Sequence, residues 1–420
     1  MHRSGEKAHG EGVGGDDHKH LARAMRKEID PEDWANWRWH MRHRVHTPET
    51  LAEWIAPTKD ERAAIDATRG IFRWNITPYY ASLMDPHDPA CPIRKQVVPT
   101  MPEMQPDIVG VEDPLEEVAH SPVKNLIHNY RDRVAFCVTS ECAIYCRYCL
   151  RKRMVGDADF MMRKRELQDA IDYLAAHSEI RDVLLTGGDP LTYSEKNLEL
   201  ILSRLRAIPH IEIIRIGTRM PVKLPQRLTP ELCAMLERYH PLWINTHFNH
   251  PKELTDEAAA GIDRLLRAGI PVGNQTVLLR GINDDVETMK ALCEGLVQMR
   301  VRPYYLYQAQ LIGGTAHLRT SIEKGMEIMA ALRGRTSGYA IPTYVLDTPF
   351  GKVPLNQSYV LGRAGRHVVM NTYQDRLWAE PNPIPEGEET PFRLPVMALP
   401  EEAETIPTGA PTFVPTPVEV

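Results

Sequence analysis

The sequence predicts an α/β protein built around a partial (β/α)6-type barrel, with a helical arm before it and an extension after it. Three observations carry this. Between residues 130 and 350, six short runs rich in Val, Ile and Leu recur: RVAFCVTS, DVLLTGG, IEIIRIGT, LWINTHF, PVGNQTVLL and PYYLYQAQ. Between most of them lie stretches with helical spacing, such as LELILSRLRAI, LTPELCAMLERY and DEAAAGIDRLLRAG, the alternation expected of parallel strands joined by helices. Polar or glycine-bearing residues then recur at the C-terminal ends of the strands, where barrels of this kind assemble their sites.

The remaining segments follow in order. Residues 1–20 are rich in Gly, His and charge and read as a mobile tail. Residues 21–129 read as a helical arm and linker. Within them Trp34, Trp37 and Trp39 sit among basic residues in an amphipathic pattern, and Thr47-Pro48-Glu49-Thr50 has the form of a helix start. Tryptophans in such an arm are expected to pack it onto its own domain or onto a second subunit, ahead of any nucleic-acid role. Residues 351–381 read as further strands, and 382–420, rich in Pro and Glu, as an extended tail.

Composition excludes several classes. Of the 420 residues 43% are hydrophobic and 25% charged, ordinary for a folded globular protein. A net charge of −6 argues against a nucleic-acid binder with a broad basic face. No stretch approaches the roughly 18 apolar residues of a membrane span, and the N-terminus lacks the apolar core of a secretory signal, so the cytoplasm is the expected compartment. The seven cysteines are irregularly spaced, with three packed into eight positions, which suits metal binding better than a disulfide framework.

Those three are Cys142, Cys146 and Cys149, placed directly after the first strand. Thiolates spaced this way can hold three corners of a cubane 4Fe–4S cluster from a single loop. The fourth iron is then left without a protein ligand, as a catalytic cluster requires, whereas electron-transfer clusters usually have four cysteines. A zinc site short of one ligand, or three unrelated thiols, are the weaker readings. Cys137, on the preceding strand, is expected to be a buried thiol outside the cluster.

On this motif and its position the chain resembles the radical S-adenosylmethionine (SAM) superfamily, in which the open iron binds SAM. Gly187, Gly188 and Asp189, in LLTGGDPL at the end of the second strand, match that family's glycine-rich SAM segment. From about Trp37 to Pro381 the sequence is similar to the lysine 2,3-aminomutases, through WRWHMRHR, ECAIYCRYCLRKR, INTHFNHP, RGRTSGYAIPTYVLDTP and GKVP among others. The resemblance implies pyridoxal 5′-phosphate (PLP) as a further cofactor, carried by Lys352. It also implies PLP contacts from Tyr130, Arg133 and Tyr307, SAM-site positions at His247 and Gln275, and a substrate-carboxylate partner in Arg151, whose planar guanidinium suits a bidentate role.

The chain departs from the family in four places. The glycine run before the PLP lysine is shortened, and Phe350 intrudes. Asn129 stands where an arginine usually helps hold the PLP phosphate, and Arg131, two residues on, is expected to face the same way and substitute for it. Of the two aspartates that hold a lysine ammonium, one matches Asp347 and the other falls at Gln310. No cysteine follows Cys293, so the structural zinc of some members is not expected.

These positions imply an isomerase that moves the α-amino group of a basic L-amino acid to the β-carbon. Lysine is the default substrate and arginine a close rival, because one carboxylate and one amide still favour a cationic side chain. A small-molecule substrate, a flavodoxin- or ferredoxin-type electron donor and a homo-oligomer follow, with no nucleic-acid or membrane partner. Two other readings belong to other classes. One is an aminomutase that modifies a lysine of a translation factor, which the long arm and extension disfavour. The other is a non-catalytic iron–sulfur protein, which leaves Lys352, Arg151 and the Gly-Gly-Asp-Pro segment without a joint explanation.

Overall fold

The computed structural model describes residues 28–69, 71–105, 110–155 and 162–405. The tail expected at 1–20 and the last fifteen residues of the C-terminal extension lie outside these. Among the described residues the arm forms five short α-helices: α1 (Pro31–Ala35), α2 (Trp37–Arg42), α3 (Pro48–Ala52), α4 (Lys59–Ala67) and α5 (Pro78–Ala81). Thr47 caps α3 with its hydroxyl and Pro48 occupies the first turn, where its missing N–H costs nothing. Trp34 and Trp37 are buried, Trp37 beneath the guanidinium of Arg227 at 4.5 Å from its ring centroid. Trp37 therefore packs the arm onto its own barrel, while Trp34 and Trp39 meet rings within the arm, Trp34 those of His40 and Tyr79 and Trp39 those of His40 and His43.

The barrel is a nine-stranded sheet in sequential order: β1 (Leu126–Tyr130), β2 (Arg133–Thr139), β3 (Asp182–Gly187), β4 (Ile213–Gly217), β5 (Leu242–Thr246), β6 (Val272–Leu278), β7 (Arg302–Gln308), β8 (Thr343–Thr348) and β9 (Gly351–Pro354). Strands β2 to β8 run parallel, and β1 and β9 add antiparallel edges. The six strand runs read from the sequence are β2 to β7. The seventh parallel strand, in TYVLDT, and the edge strand β1, in LIHNY, were not among those runs, while β9 opens the segment 351–381 that was read as further strands. In order along the chain come α6 (Lys152–Val155), α7 (Lys164–Ala176), α8 (Glu195–Arg206), α9 (Met220–Lys223), α10 (Pro230–Glu237), α11 (Asp256–Arg267), α12 (Val286–Gln298) and α13 (Ile322–Leu332). Caps start the long ones: Ser194, Thr229, Thr255, Asp285 and Ser321 each accept a backbone N–H two or three residues into the helix. On α11 the buried residues Ala258, Gly261, Ile262 and Leu265 fall on one helical stripe, which packs onto the sheet.

The sheet remains open, and side chains bridge the gap between its edges. Tyr130 Oη, from β1, accepts the backbone N–H of Lys352 on β9 at 2.7 Å, and Asn129 Nδ2 donates to the Pro349 carbonyl at 3.0 Å. Beyond the barrel, β10 (Val360–Ala364), β11 (His367–Asn371) and β12 (Leu377–Pro381) form a separate antiparallel sheet. The Pro/Glu-rich segment, up to residue 405, lies extended along this sheet. Arg363 exchanges backbone hydrogen bonds with Pro395 and Met397, and Glu404 does so with Leu377 and Ala379. Among the described residues no helix is long and apolar enough to cross a membrane.

Arm and barrel are joined by buried polar groups. The Glu253 carboxylate, fully excluded from solvent, accepts from Arg219 Nη2 at 2.7 Å, Tyr80 Oη at 2.6 Å, Gln96 Nε2 at 3.2 Å and the Asn249 N–H at 2.5 Å. Tyr80 and Gln96 belong to the arm, the others to the barrel. Removing one member of a buried charged pair strands the other, at about 3–5 kcal/mol. Glu253→Ala should therefore lose about that much stability in urea titration of the cofactor-free protein. A loss below about 1 kcal/mol would mean that the pair does not hold the two parts together.

Candidate active site

A cavity of about 700 Å³ runs into the barrel, and every site residue singled out from the sequence lines it except Arg131. Cys142, Cys146, Cys149 and Arg151 come from the loop after β2, Gly187, Gly188 and Asp189 from the end of β3, and His247 from the loop after β5. Gln275 lies on β6, Tyr307 on β7, Gln310 just beyond it, Asp347 on β8, Lys352 on β9, and Tyr130 and Arg133 on the β1–β2 hairpin.

The cysteine loop is clamped in place by the Gly-Gly turn. Gly187 has φ +110°, and a Cβ there would lie 2.5 Å from the Thr139 carbonyl oxygen; a Cβ on Gly188 would lie 2.3 Å from that of Glu141. Those same contacts are hydrogen bonds, Gly188 N–H to Thr139 at 2.5 Å and Asp189 N–H to Glu141 at 2.8 Å. The glycines are thus required for the approach of two backbones, in addition to any room they leave for a ligand. The Asp189 carboxylate is taken up within the protein by Thr218 Oγ1 at 2.6 Å and the N–H groups of Arg219 and Leu191 at 2.8 and 3.1 Å. It fastens β3 to β4, while its residue borders the cavity.

The thiols sit in an electropositive corner. Arg219 Nη1 donates to Cys146 Sγ at 3.1 Å, and Lys223 is buried beside it, donating to the Ile144 carbonyl at 2.8 Å. Burial opposes ionisation of Cys146, but Lys223 and Arg219 outweigh it and bring the thiol down to about 7. Burial pushes Cys142 and Cys149 up instead. Cys137 lies fully buried on β2, with its thiol pushed up to about 11 by burial. Among the described residues no three His, Cys, Asp or Glu side chains converge closely enough to hold a single ion. Cys142, Cys146 and Cys149 all line the cavity, with Arg219 on Cys146 and Lys223 beside it, and three thiols from one loop are a donor set suited to the separate corners of an anionic cluster. His247, beside the same cations, is kept neutral by burial first and then by Arg219 and Lys223, with its pKa down to about 3.

At the other side of the cavity Lys352 Nζ pairs with Asp347 Oδ1 at 2.7 Å, the two being directly opposed across the β8–β9 ladder. Burial works against the ammonium, but Asp347 holds it above the usual lysine range. The ammonium also lies 5.6 Å from the centroid of the Tyr307 ring, and Tyr307 Oη receives Gln275 Nε2 at 3.3 Å. Gln310 reaches the same corner, donating from Nε2 to the Asp347 carbonyl at 3.0 Å. The shortened loop closes through Gly351, at φ +98°, where a Cβ would come within 2.9 Å of Tyr130 Oη. Phe350 turns away from the cavity and packs against Trp378, with Arg376 over its other face at 3.9 Å.

Arg133 lies over the Tyr130 ring at 3.8 Å and faces the cavity. The expectation for Arg131 is corrected: β1 and β2 form a tight hairpin with Tyr130 opposite Arg133, so Arg131 falls in the turn and is exposed. Alternation along an extended strand no longer applies there, and Arg133 is the cavity-facing cation.

Several residues of the site were missed from the sequence. Glu117 is buried and receives Arg151 Nη2 at 2.7 Å and Arg153 Nη2 at 2.8 Å, while Arg151 Nη1 reaches Thr186 Oγ1 at 3.2 Å. Glu117 lies in the arm, far from the motif in sequence, and nothing local marks it. Arg219 and Lys223 were more legible, following directly on the β4 strand end in GTRMPVK.

A barrel with three thiols on its first βα loop defines the class, and the family model of the Radical SAM superfamily matches residues 136–293. A second model, described as lysine-2,3-aminomutase, matches residues 329–395. The chain is 47% identical to L-lysine 2,3-aminomutase of Clostridium subterminale, over 85% of this chain and 86% of that one. It is 49% identical to the enzyme of that name from Fusobacterium nucleatum, over 82% of each, and 44% identical to glutamate 2,3-aminomutase of Clostridioides difficile, again over 82% of each. The chain belongs to the lysine 2,3-aminomutase family of radical SAM enzymes, and is an isomerase. Its superfamily implies SAM and a 4Fe–4S cluster.

Glu117→Ala would leave the Arg151 guanidinium without its carboxylate, while Arg153 keeps Asp113 at 3.0 Å, and should destabilise the protein by about 3–5 kcal/mol in denaturant. Arg151→Met combined with Glu117→Met should recover most of the Arg151 share, because both charges then leave together. If the double variant instead loses as much as the two single variants added, the residues are energetically independent.

Proposed function

We propose that this protein is a PLP-dependent 2,3-aminomutase of a basic L-amino acid, lysine by default and arginine the close rival, working with a flavodoxin- or ferredoxin-type donor. One observation carries the reading. A single cavity holds the three-cysteine loop and its flanking cations on one side, and the Lys352–Asp347 pair among tyrosines on the other. A cluster alone would not need the second half.

In this reading Cys142, Cys146 and Cys149 hold three irons, and Gly187, Gly188, His247 and Gln275 border SAM, with Asp189 bracing the glycines from behind. Lys352 carries PLP, bordered by Tyr130, Tyr307 and Arg133, whose charge suits the phosphate. When bound, SAM on the cluster supplies the radical that takes substrate hydrogen, and PLP supplies the electron sink for the migrating nitrogen. The remaining work belongs to this chain. Asp347 Oδ1, 2.7 Å from Lys352 Nζ, is the acceptor placed to relieve the ammonium of its proton. Once that proton has passed on from Asp347 to solvent, the carboxylate is charged again and free for the distal cation of the substrate, with the Gln310 amide beside it. Arg151, held by Glu117 and Thr186, presents its guanidinium toward the substrate carboxylate. No structural zinc enters this reading.

Borohydride reduction of the PLP-loaded protein should fix a pyridoxyl group on the Lys352 peptide, read by mass spectrometry. Labelling only elsewhere would remove Lys352 from the proposal. The function itself is tested by anaerobic reconstitution with iron, sulfide, SAM and PLP, followed by mass spectrometry of a panel of amino acids.

Selectivity gives a second expectation. With one carboxylate at the distal end, Asp347→Asn should depress turnover of a basic substrate by about a hundredfold, because a charge-assisted bond is lost where water is excluded. Gln310→Asp should raise lysine turnover relative to arginine. A wild type that prefers glutamate, or an Asp347→Asn variant that retains its rate on lysine and arginine, would end the cationic-pocket reading.

A further inference from the structure

A second cavity, of about 890 Å³, lies between the arm and the cysteine loop. Five arginines line it: Arg42, Arg44, Arg62, Arg69 and Arg73, against two acids, Glu49 and Asp66. In a chain with a net charge of −6 this is a local reversal of sign. Arg42, Arg62 and Arg69 are exposed, and Arg69 meets Asp66 only at 3.4 Å with both side chains mostly in water, an arrangement that neutralises little.

What lies beneath gives the cleft its meaning. Tyr145, between Cys142 and Cys146 in the sequence, lines both this cleft and the active-site cavity. Its ring meets Phe72, another wall of the cleft, with centroids 6.5 Å apart. Cys142 and Cys149 pack against the cluster formed by Phe72, Tyr145 and Val155, and Arg44 Nη1 donates to the Cys142 carbonyl at 3.1 Å. The Phe72–Tyr145 pair therefore borders the arginine-lined cleft on one side and packs against two of the three cysteines on the other.

We propose that this cleft docks an acidic one-electron carrier protein of the flavin or iron–sulfur class, and that it is where the electron enters. The inference rests on the radical SAM reading, in which the cluster must be reduced by one electron. That electron leaves the reduced carrier, oxidising it by one, and enters the cluster; docking itself makes and breaks no covalent bond. Positive charge over the entry point raises the encounter rate of an acidic partner and orients it, and redox encounters of this kind need only a small interface. A cationic amino acid would be repelled here. A small phosphate would need convergent donors, whereas Arg42, Arg62 and Arg69 are exposed to solvent and Arg44 is engaged with Glu141 at 3.7 Å.

The test uses the full-length reconstituted protein, with Arg42→Glu/Arg62→Glu as the reversed pair and Arg42→Lys/Arg62→Lys as the charge-keeping pair. Binding of oxidised flavodoxin is measured by titration calorimetry at several salt concentrations, independently of turnover. Cluster reduction is followed by electron paramagnetic resonance, with flavodoxin hydroquinone or with reduced methyl viologen as donor. The reversed pair should bind flavodoxin at least about tenfold more weakly with a shallower salt dependence, and its flavodoxin-driven reduction should slow about as much. The lysine pair should stay within about threefold of wild type, and reduction by viologen should be unchanged in both. Equal flavodoxin affinity in the wild type and the reversed pair would overturn the proposal. So would equal slowing with both donors, which would assign the arginines to cluster integrity. Loss of self-association or of inorganic phosphate binding, with flavodoxin affinity intact, would assign the cleft to a second copy or to a small anion and overturn it as well. Failure of viologen-reduced wild type to cleave SAM would sink the enzymatic reading instead, a result distinct from any of these.

Discussion

The ion pair between Arg219 and Glu253 is the interaction on which the rest of the structure depends. Arg219 stands at the end of β4 and donates from its backbone nitrogen and from all three guanidinium nitrogens. Its backbone N–H holds Asp189, Nε holds the His247 carbonyl, Nη1 holds Cys146 Sγ, and Nη2 holds both Gln96 and Glu253. Through these bonds one guanidinium ties together the ends of three strands, the cysteine loop and the arm. A charge so deeply buried is tolerated only because Glu253 answers it and Tyr80, Gln96 and Asn249 complete the carboxylate's shell. The arm is therefore part of the active-site architecture.

Electrostatics divide the cavity into two parts. Near the cysteines, Arg219 and Lys223 bring positive charge to the thiols even though Glu253 answers Arg219, and they hold the Cys146 thiol down, which suits an anionic cluster of thiolates and sulfides. Near Lys352 the charges are balanced within the pair with Asp347, and Tyr130 and Tyr307 surround it with uncharged polar surface. Arg151 lies between, its charge answered by Glu117. Because burial raises the cost of any imbalance, the loss or gain of one charge at Lys352 changes what Asp347 is free to bind.

The openness of the barrel serves the same end. A closed ladder between β1 and β9 would use backbone groups for pairing and bring the edges too close for side chains to sit between them. Here Tyr130 and Asn129 span the gap, so the lysine strand is held at a distance set by a tyrosine ring. Gly351 is the residue that allows this, since its left-handed backbone and missing Cβ let the ring approach. Phe350 anchors the loop before Lys352 on the C-terminal sheet by packing against Trp378 of β12.

Much of this was legible in the chain itself. Strands β2 to β7 showed as apolar runs, the helices between them by periodicity, and the cluster motif by the spacing of three cysteines within eight residues. Local patterns of this kind are set by near neighbours, so sequence by itself determined the fold class, the cysteine loop and the cap at Thr47. Other features depend on residues far apart in the chain. Glu117 reaches Arg151 across 34 positions, Glu253 meets Arg219 across another 34, and Lys352 meets Tyr130 across 222. Arg131 shows the limit of local reasoning, since a hairpin turn invalidated the alternation on which its placement rested. Which charge answers which, and which loop backs onto the arginine-lined cleft, was decided only by tertiary structure, because a buried charge is stable only beside a partner that folding brings to it.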